Sequence, residues 1–137
     1  MRRIKFKGYG VVLPKNTVSF KDHIRYRISE GETQLQLAVA ACEKALKNSN
    51  ISINGIDCIV SASAVGVQPI PCMAALIHEK IAKGTSIPAL DINTTCTSFI
   101  TALDTMSYLL EAGRYKRVLI VSCDVASSAL NPNQKES

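Results

Sequence analysis

Residues 90–104 read LDINTTCTSFITALD, and the rest of the chain can be interpreted outward from this stretch. An apolar strand end leads into a polar turn, and apolar residues then recur at helical spacing. The pattern predicts a strand, a tight turn and a helix, with Cys96 where the helix begins. Free backbone N–H groups and the positive end of the helix dipole favour a thiolate there. A thiolate attacks carbonyl carbons, so Cys96 is a candidate nucleophile for acyl transfer through a thioester.

The size and composition of the chain indicate one domain over residues 1–137. A chain of 137 residues with 47% hydrophobic residues can bury a core of its own. Aromatic residues make up only 5% and tryptophan is absent. A close-packed α/β protein is therefore favoured over a protein that stacks single-stranded nucleic acid on aromatic rings.

The formal net charge of +5 comes from three separate basic groups. These are Arg2, Arg3, Lys5 and Lys7; Lys21, Arg25 and Arg27; and Arg114, Lys116 and Arg117. They are either ordinary solvated faces or a surface that attracts an anionic partner. Their density is below that of a nucleic-acid-binding arm, so no nucleic acid partner is predicted.

The sequence predicts a cytoplasmic protein without a membrane span. No apolar run has the length of a transmembrane helix, and residues 4–13 lack the apolar core of a signal peptide. The five cysteines are widely spaced, without a C-x-x-C pair, which indicates reduced thiols. No phosphate-binding glycine motif or metal-ligand cluster is present, so we predict neither a cofactor nor a metal.

Hydrophobic periodicity predicts alternating strands and helices. Strands are expected at 4–13, 56–64, 88–92 and 117–123, and helices at 33–47, 72–83 and 98–112. Residues 18–29 are expected to form a loop or a short extended piece, and Pro71 is expected at the first helical position. Gly8 and Gly10 imply a bulge or a close backbone approach. The alternation predicts a mostly parallel sheet with helices on both faces.

The helix predicted at 98–112 is apolar on most sides. Its apolar residues are Phe99, Ile100, Leu103, Met106, Leu109 and Leu110. Such a helix is expected to be buried on most sides. The sequence offers nothing obvious to cover the outer face, including Met106 and Leu109.

The other candidate catalytic residues have weaker support. Cys72 also lies at a predicted helix start, but its neighbours are apolar and a packing role is favoured. Three cysteines fall inside predicted elements and are expected in the core: Cys42, Cys58 and Cys123. His23 and His78 have no sequence context that places them against Cys96. Asp91 and Asp104 are better suited to capping or hydrogen-bonding roles than to catalysis.

Several segments resemble the β-ketoacyl-acyl-carrier-protein synthase III family of thiolase-fold condensing enzymes. Residues 91–99, followed by Ala102-Leu103, resemble its active-cysteine motif. Further similar segments occur in the same order: Gly8-Tyr9-Gly10 with Leu13-Pro14, residues 24–27, 59–63, Pro71 with Ala74-Ala75, 118–124, and Asn131-Pro132. The resemblance implies a thiolase-like half-domain, with a buried active-site helix after the third strand.

The resemblance also implies a mechanism and partners. Cys96 would accept an acyl group from acyl-CoA or an acyl carrier protein and form a thioester. Malonyl-acyl-carrier-protein would then decarboxylate, and its carbanion would attack that thioester. The Cys96 backbone N–H would contribute to an oxyanion site. Acidic acyl carrier protein would be a partner for the basic surface, and the chain would form a homodimer or associate with a second half.

Four differences from the family accompany this resemblance. The catalytic histidine and asparagine belong to a second half, so the chain is expected to be an N-terminal half that does not condense by itself. Ser98 replaces the usual glycine before Phe99, and Ile70 lies where an aromatic residue is common. The tryptophan that stacks on CoA is missing.

Three functions follow as hypotheses. The first is a synthase III-like acyltransferase of fatty acid or polyketide biosynthesis. The second is a thiolase-fold acyltransferase without condensation. The third is a non-catalytic half-domain that associates with a partner chain. Selective reaction of Cys96 with thiol reagents near neutral pH would favour the two enzymes over the third hypothesis.

Overall fold

A three-stranded parallel sheet, three helices and a hairpin make up the fold in the computed structural model, which describes residues 3–20 and 23–126. In chain order the elements are β1 (Asn16–Phe20), β2 (His23–Arg27), α1 (Gln34–Ser49), β3 (Cys58–Ser61), α2 (Met73–Ile81), β4 (Ala89–Asp91), α3 (Ser98–Glu111) and β5 (Val118–Val121). The sheet has the order β4-β3-β5, with Ile59 opposite both Ala89 and Leu119. All three carboxyl ends therefore lie at one edge of the sheet.

Helices cover both faces of this sheet, as the sequence predicts. Strand residues alternate between faces, so neighbours on β3 enter different hydrophobic clusters. One cluster joins the sheet to α1 and α2 and contains Ala38, Cys42, Ile59, Met73, Ile77, Leu119 and Val121. The other joins it to α3 and contains Cys58, Val60, Ala62, Ala102 and Met106. The fold class and the placement of the helices are confirmed.

Local capping fixes the helix ends close to their predicted positions. Thr33 and Gln36 form a capping box, each side chain accepting a hydrogen bond from the other's backbone N–H. Gly113 ends α3 with a φ of 73°, in the left-handed region that glycine adopts readily. The expectation for Pro71 is wrong, because α2 begins at Met73 with Cys72 as its N-cap. The Asp91 carboxylate accepts the N–H groups of Met73 and Ala74, and this contact fixes the start of α2.

The strand predicted at 4–13 does not form. Gly8 and Gly10 lie so close to α1 that an added Cβ would be 2.7 Å from Ser49 Cβ and from Ala45 N, respectively. The segment is therefore packed along α1, and a groove of about 760 Å³ separates it from β5. Its backbone has no neighbouring strand to pair with, although its side chains alternate like those of a strand. Close backbone approach, and not a bulge, explains the two glycines.

Residues expected to form a loop or short extended piece form an antiparallel hairpin. Asn16 pairs with Arg27, and Phe20 pairs with His23. Ile24 and Tyr26 alternate with polar residues in β2, but every residue of this strand is exposed, so the alternation does not correspond to a buried face of the strand. Cross-strand pairing holds the exposed strand β2 against β1.

The outer face of α3 differs in detail from the expectation. Met106 is 1% exposed, and Leu109 packs against the same cluster, so the sheet covers both residues. The exposed apolar residues are Phe99, Ile100 and Tyr108. The helix is therefore half-buried. Its uncovered apolar surface lies at Phe99, Ile100 and Tyr108, and not at Met106 and Leu109.

A few predictions fall outside the described residues. Arg2, Lys21 and the Asn131-Pro132 pair belong to these positions. Across residues 3–20 and 23–126, no helix combines the length and the apolar character needed to cross a bilayer.

Asp57 couples the start of β5 to β3, and this coupling predicts a dependence of stability on pH. Its Oδ2 atom accepts the backbone N–H groups of Lys116 (2.7 Å) and Arg117 (2.8 Å). The bond from Arg117 and then that from Lys116 lower the pKa of Asp57 from its ordinary value of 3.8. The stabilisation is therefore present above pH 3.8 and is lost as the pH falls through the lowered pKa.

We expect Asp57→Ala to lower the free energy of unfolding by about 1 kcal/mol near pH 7, because two N–H groups lose their acceptor. Urea unfolding at several pH values should show this difference shrinking below pH 3.8. Asp57→Asn keeps an acceptor oxygen but no charge, so its free energy of unfolding should lie between those of the wild type and Asp57→Ala. A difference that is constant with pH would contradict this role of the carboxylate.

Candidate active site

Cys96 lies in the loop between β4 and α3, at the carboxyl edge of the sheet. The helix begins at Ser98 and its N-cap is Thr97, so Cys96 precedes the cap by one residue. Cys96 is exposed. The structure thus places the predicted nucleophile in a polar loop at the sheet edge where open α/β folds bind ligands.

Asn93 anchors this loop on both of its sides. Its Oδ1 accepts the Thr95 N–H at 2.9 Å, and its Nδ2 donates to the Ala64 carbonyl O at 2.8 Å. Thr95, directly before Cys96, has a φ of 58°. A β-branched residue is rarely left-handed, so this conformation persists only where neighbouring contacts hold it. Asn93 supplies one such contact and ties the loop to the end of β3.

The loop after β3 is itself held by residues that follow β5. The Asp124 carboxylate accepts the N–H groups of Ala64 (2.9 Å) and Val65 (3.0 Å). Ser63 Oγ accepts the Cys123 N–H at 2.9 Å. Gln34 Nε2, from the first turn of α1, donates to the carbonyl groups of Val65 and Cys123. The Cys96 loop is therefore linked to the ends of all three strands.

Threonine hydroxyl groups surround the start of α3. Thr97 Oγ1 donates to the Thr94 carbonyl O at 2.8 Å, and Thr94 Oγ1 is 2.8 Å from Thr101 Oγ1. None of these hydroxyls caps the helix, since Thr97 makes no side-chain cap. They bond with one another and with the loop, which gives the surroundings of Cys96 a polar, hydrogen-bonded surface.

The two helix starts that carry a cysteine differ in charge. At α2 the Asp91 carboxylate already binds the first N–H groups, beside Cys72. This confirms the capping role expected for Asp91. The first turn of α3 contains no acidic residue. A helix N-terminus attracts negative charge, and the start of α3 carries no acidic residue in its first turn, although its Ser98 N–H already bonds to the Thr95 carbonyl O.

The remaining cysteines pack in the interior. Burial raises the pKa of the Cys42 thiol to about 12, and burial also raises the pKa values of Cys58 and Cys123. Cys42 and Cys58 are buried, and the half-buried Cys123 packs against the cluster below α1 and α2. The predicted core position is confirmed for Cys42 and Cys58, whereas Cys123 lies beyond the end of β5 and is only half-buried.

Neither histidine forms a hydrogen bond with Cys96 in the described part of the chain. His23 begins the exposed strand β2. His78 Nε2 is 3.2 Å from Thr85 Oγ1, towards the end of α2 that lies away from Asp91. Asp104 is exposed on α3. Within residues 3–20 and 23–126 the candidate site is thus a cysteine loop without a histidine base.

The parallel sheet, its helices on two faces and the cysteine loop define a thiolase-like α/β domain. The family described as 3-oxoacyl-[acyl-carrier-protein (ACP)] synthase III matches residues 90–137. Beta-ketoacyl-[acyl-carrier-protein] synthase III 3 of Streptomyces coelicolor is 32% identical over 113 residues, which are 82% of this chain and 33% of that protein. Beta-ketoacyl-[acyl-carrier-protein] synthase III of Bartonella tribocorum is 31% identical over 149 residues, covering 96% of this chain and 46% of that protein.

A solved structure shows the same fold. The crystal structure of 3-oxoacyl-[acyl-carrier-protein] synthase III from Aquifex aeolicus superposes with a TM-score of 0.87 at 27% identity. The superposition covers 95% of this chain and 47% of that one. The chain is thus a homologue of the β-ketoacyl-[acyl-carrier-protein] synthase III condensing enzymes, which confirms the resemblance, and it spans half or less of the length of these relatives.

Sequence reasoning missed several residues that build the site. Asn93 and Asp124 hold its loops, and Gln34 joins α1 to the same edge. The contact from Asn93 to Thr95 could have been predicted from the sequence, because an asparagine side chain in a turn commonly bonds to the backbone N–H two residues further on. The contacts of Gln34 and Asp124 span 31 or more residues of sequence, and no local pattern predicts them.

Proposed function

We propose that this chain is the acyl-accepting part of a synthase III-like acyltransferase, with Cys96 as its nucleophile. The observation that carries the proposal is the exposed Cys96 on a loop tied to the ends of three parallel strands, in a homologue of synthase III. The first turn of α3, which contains no acidic residue, supports the same role. By its relation to the family, the chain is proposed to act in fatty acid or polyketide biosynthesis as an N-terminal half-domain.

The chemistry proposed for Cys96 is exchange of one thioester for another. The Cys96 Sγ thiolate attacks the carbonyl carbon of an acyl-CoA or acyl-carrier thioester. The bond from that carbon to the donor sulfur breaks, and the donor leaves as a thiolate that takes a proton from water. The acyl group then remains on Sγ. The Cys96 N–H is proposed as one oxyanion donor during this step.

Condensation requires further groups. Decarboxylation of malonyl-acyl-carrier-protein would need donors to polarise its thioester carbonyl, a task performed in the family by a histidine and an asparagine. The described residues bring no histidine to the Cys96 loop. We therefore propose that the 137-residue chain accepts an acyl group, and that condensation needs a second half or a partner chain.

Two assays test this proposal on the full chain. Incubation with acetyl-CoA or acetyl-N-acetylcysteamine should add one acyl group to the intact protein mass. Subsequent addition of malonyl-acyl-carrier-protein should give no β-ketoacyl product. Product formation at a rate comparable with that of intact synthases would contradict the proposed need for a second half or a partner chain. Acylation no faster than for an ordinary exposed thiol would favour the non-catalytic half-domain.

The partners follow from the same proposal. An acidic acyl carrier protein is proposed to meet the basic residues, and the location is proposed to be the cytoplasm. Apolar side chains exposed near the site point to association with a second copy or a second half. On α3 these are Phe99, Ile100 and Tyr108, and in the loop after β3 they are Val65, Val67 and Ile70.

We expect the chain to self-associate in sedimentation velocity experiments, because these apolar side chains would otherwise remain in water. Ile100 is 67% exposed in the single chain, and we expect association to bury it. Ile100→Lys should therefore weaken the association roughly tenfold, because the apolar contacts made by Ile100 in the associated state would be lost. Thr105→Lys, at an exposed position of the same helix, serves as the control for added charge. A clean monomer at all concentrations would contradict this expectation.

A further inference from the structure

Ser98, the first residue of α3, makes three hydrogen bonds to the loop that carries Cys96. Its side chain is buried, with 2% of the residue surface exposed. The Oγ atom accepts the Thr94 N–H at 3.0 Å and donates to the Thr95 carbonyl O at 2.6 Å. The Ser98 N–H donates to the same carbonyl at 3.1 Å. One buried hydroxyl thus contacts both residues that precede Cys96.

These contacts complete the set that holds Thr95 in its left-handed conformation. Asn93 Oδ1 accepts the Thr95 N–H, and Ser98 binds the Thr95 carbonyl. Both peptide groups of Thr95 are therefore fixed, one on each side of its Cα atom. The Thr95 carbonyl and the Cys96 N–H belong to the same peptide group. The orientation of this peptide group therefore sets the direction of the Cys96 backbone and side chain.

We propose that Ser98 is a positioning residue of the candidate site. Its hydroxyl holds the Thr95–Cys96 peptide group and thereby sets the approach of Cys96 Sγ to a thioester carbonyl. A glycine at this position could provide the N–H bond but neither hydroxyl bond. The Ser98 side chain therefore supplies two of the bonds that fix the loop. The inference rests on the proposed function of Cys96.

The test compares two reactions of Cys96 that differ in their demand for geometry. Acyl transfer from acetyl-N-acetylcysteamine requires attack on a planar carbonyl with oxyanion donors in place. Alkylation by iodoacetamide tolerates a thiol that samples several positions. We expect Ser98→Ala to lower the second-order rate constant for acylation about tenfold relative to wild type. The rate constant for alkylation should fall less than twofold, and both ratios should be the same at every pH tested.

Ser107→Ala is the matched control. Ser107 is also a buried serine of α3, 4% exposed, and its Oγ donates to the Asp104 carbonyl O at 2.6 Å. Ser107→Ala removes a comparable hydrogen bond, but Ser107 lies more than two helical turns from Ser98. We expect it to leave both rate constants at the wild-type values. Thermal unfolding of each variant identifies a temperature at which all are folded, and Ser98→Gly, which also removes the hydroxyl, is measured beside Ser98→Ala.

The outcomes separate this inference from the proposed function. A fall in acylation alone, confined to the Ser98 variants, supports the positioning role. Wild-type acylation in both Ser98 variants would overturn the inference while Cys96 remains the nucleophile. Equal falls in acylation and alkylation would mean a general structural role and would also overturn it. If wild-type Cys96 itself is not acylated, the proposed function fails and the inference fails with it.

Discussion

Cys96→Ala should reduce acyl transfer to the chain by at least about a hundredfold. The proposed reaction forms its covalent bond at Sγ of this residue, and an alanine side chain has no nucleophile to replace it. The measurement is the amount of acylated protein, by intact mass, after incubation with acetyl-N-acetylcysteamine. Because Cys96 is exposed and its thiol packs against no hydrophobic cluster, the thermal unfolding temperature should stay within a few degrees of wild type.

Cys72→Ala provides the control for this experiment. Cys72 is the other cysteine at a helix start, but it shares that start with the Asp91 carboxylate. We expect the Cys72 variant to be acylated at the wild-type rate. Loss of acylation in the Cys72 variant, with retention in the Cys96 variant, would reverse the assignment of the nucleophile.

Gly10→Ala should destabilise the packing of the N-terminal segment by roughly 3 kcal/mol. An added Cβ would overlap the Ala41 carbonyl O and lie 2.7 Å from Ala45 N, and both atoms belong to the backbone of α1. Backbone atoms inside a helix cannot move aside like the end of a flexible side chain, so the segment must separate from α1. Separation would also break the bonds from Asn48 Nδ2 to the Tyr9 carbonyl and from Lys44 Nζ to the Val11 carbonyl.

Hydrogen exchange of residues 3–14 and chemical unfolding together measure this effect. Faster exchange in the segment and along the facing side of α1 is expected. Gly66→Ala is the matched control, because an added Cβ there would meet its nearest atom at 3.5 Å, an ordinary contact. Unchanged exchange and stability in Gly10→Ala would show that the segment does not depend on close contact with α1.

The helices and the parallel strands were predictable because their signals are local. Apolar periodicity located α1 and α3 to within two residues, and Gly113 marked the end of α3. The strand cores at Cys58–Ser61 and Val118–Val121 are continuous apolar or small runs, as expected for a sheet covered on both faces. Burial on both faces follows from such runs without knowledge of distant contacts.

The N-terminal segment and the hairpin were not predictable in the same way. Alternation at residues 4–13 is typical of a strand, but a strand also requires a partner, and the nearest edge at β5 lies across a groove. The hairpin shows the opposite situation, since Asn16–Phe20 and His23–Arg27 pair although every residue of His23–Arg27 is exposed. Pairing depends on which backbone lies alongside, and composition does not encode this directly.

The candidate site likewise combines features that local sequence predicts with features that depend on distant contacts. The position of Cys96 before a helix was evident from the sequence, and so was the unusual Ser98. The arrangement that gives them meaning was not, because Asn93, Asp124 and Gln34 act across long stretches of chain. The left-handed Thr95 was equally hidden, since threonine has no preference for that conformation.

The most direct test of the central claim is to locate the acyl group on the wild-type chain. The full chain is treated with limiting acetyl-N-acetylcysteamine near neutral pH, digested, and analysed by peptide mass spectrometry. We predict that the acyl group is found on the peptide containing Cys96, ahead of the other four cysteines. Acyl groups found first on Cys72, or shared without preference between Cys96 and the partly exposed Cys72 and Cys123, would contradict the assignment of Cys96 as the acyl acceptor.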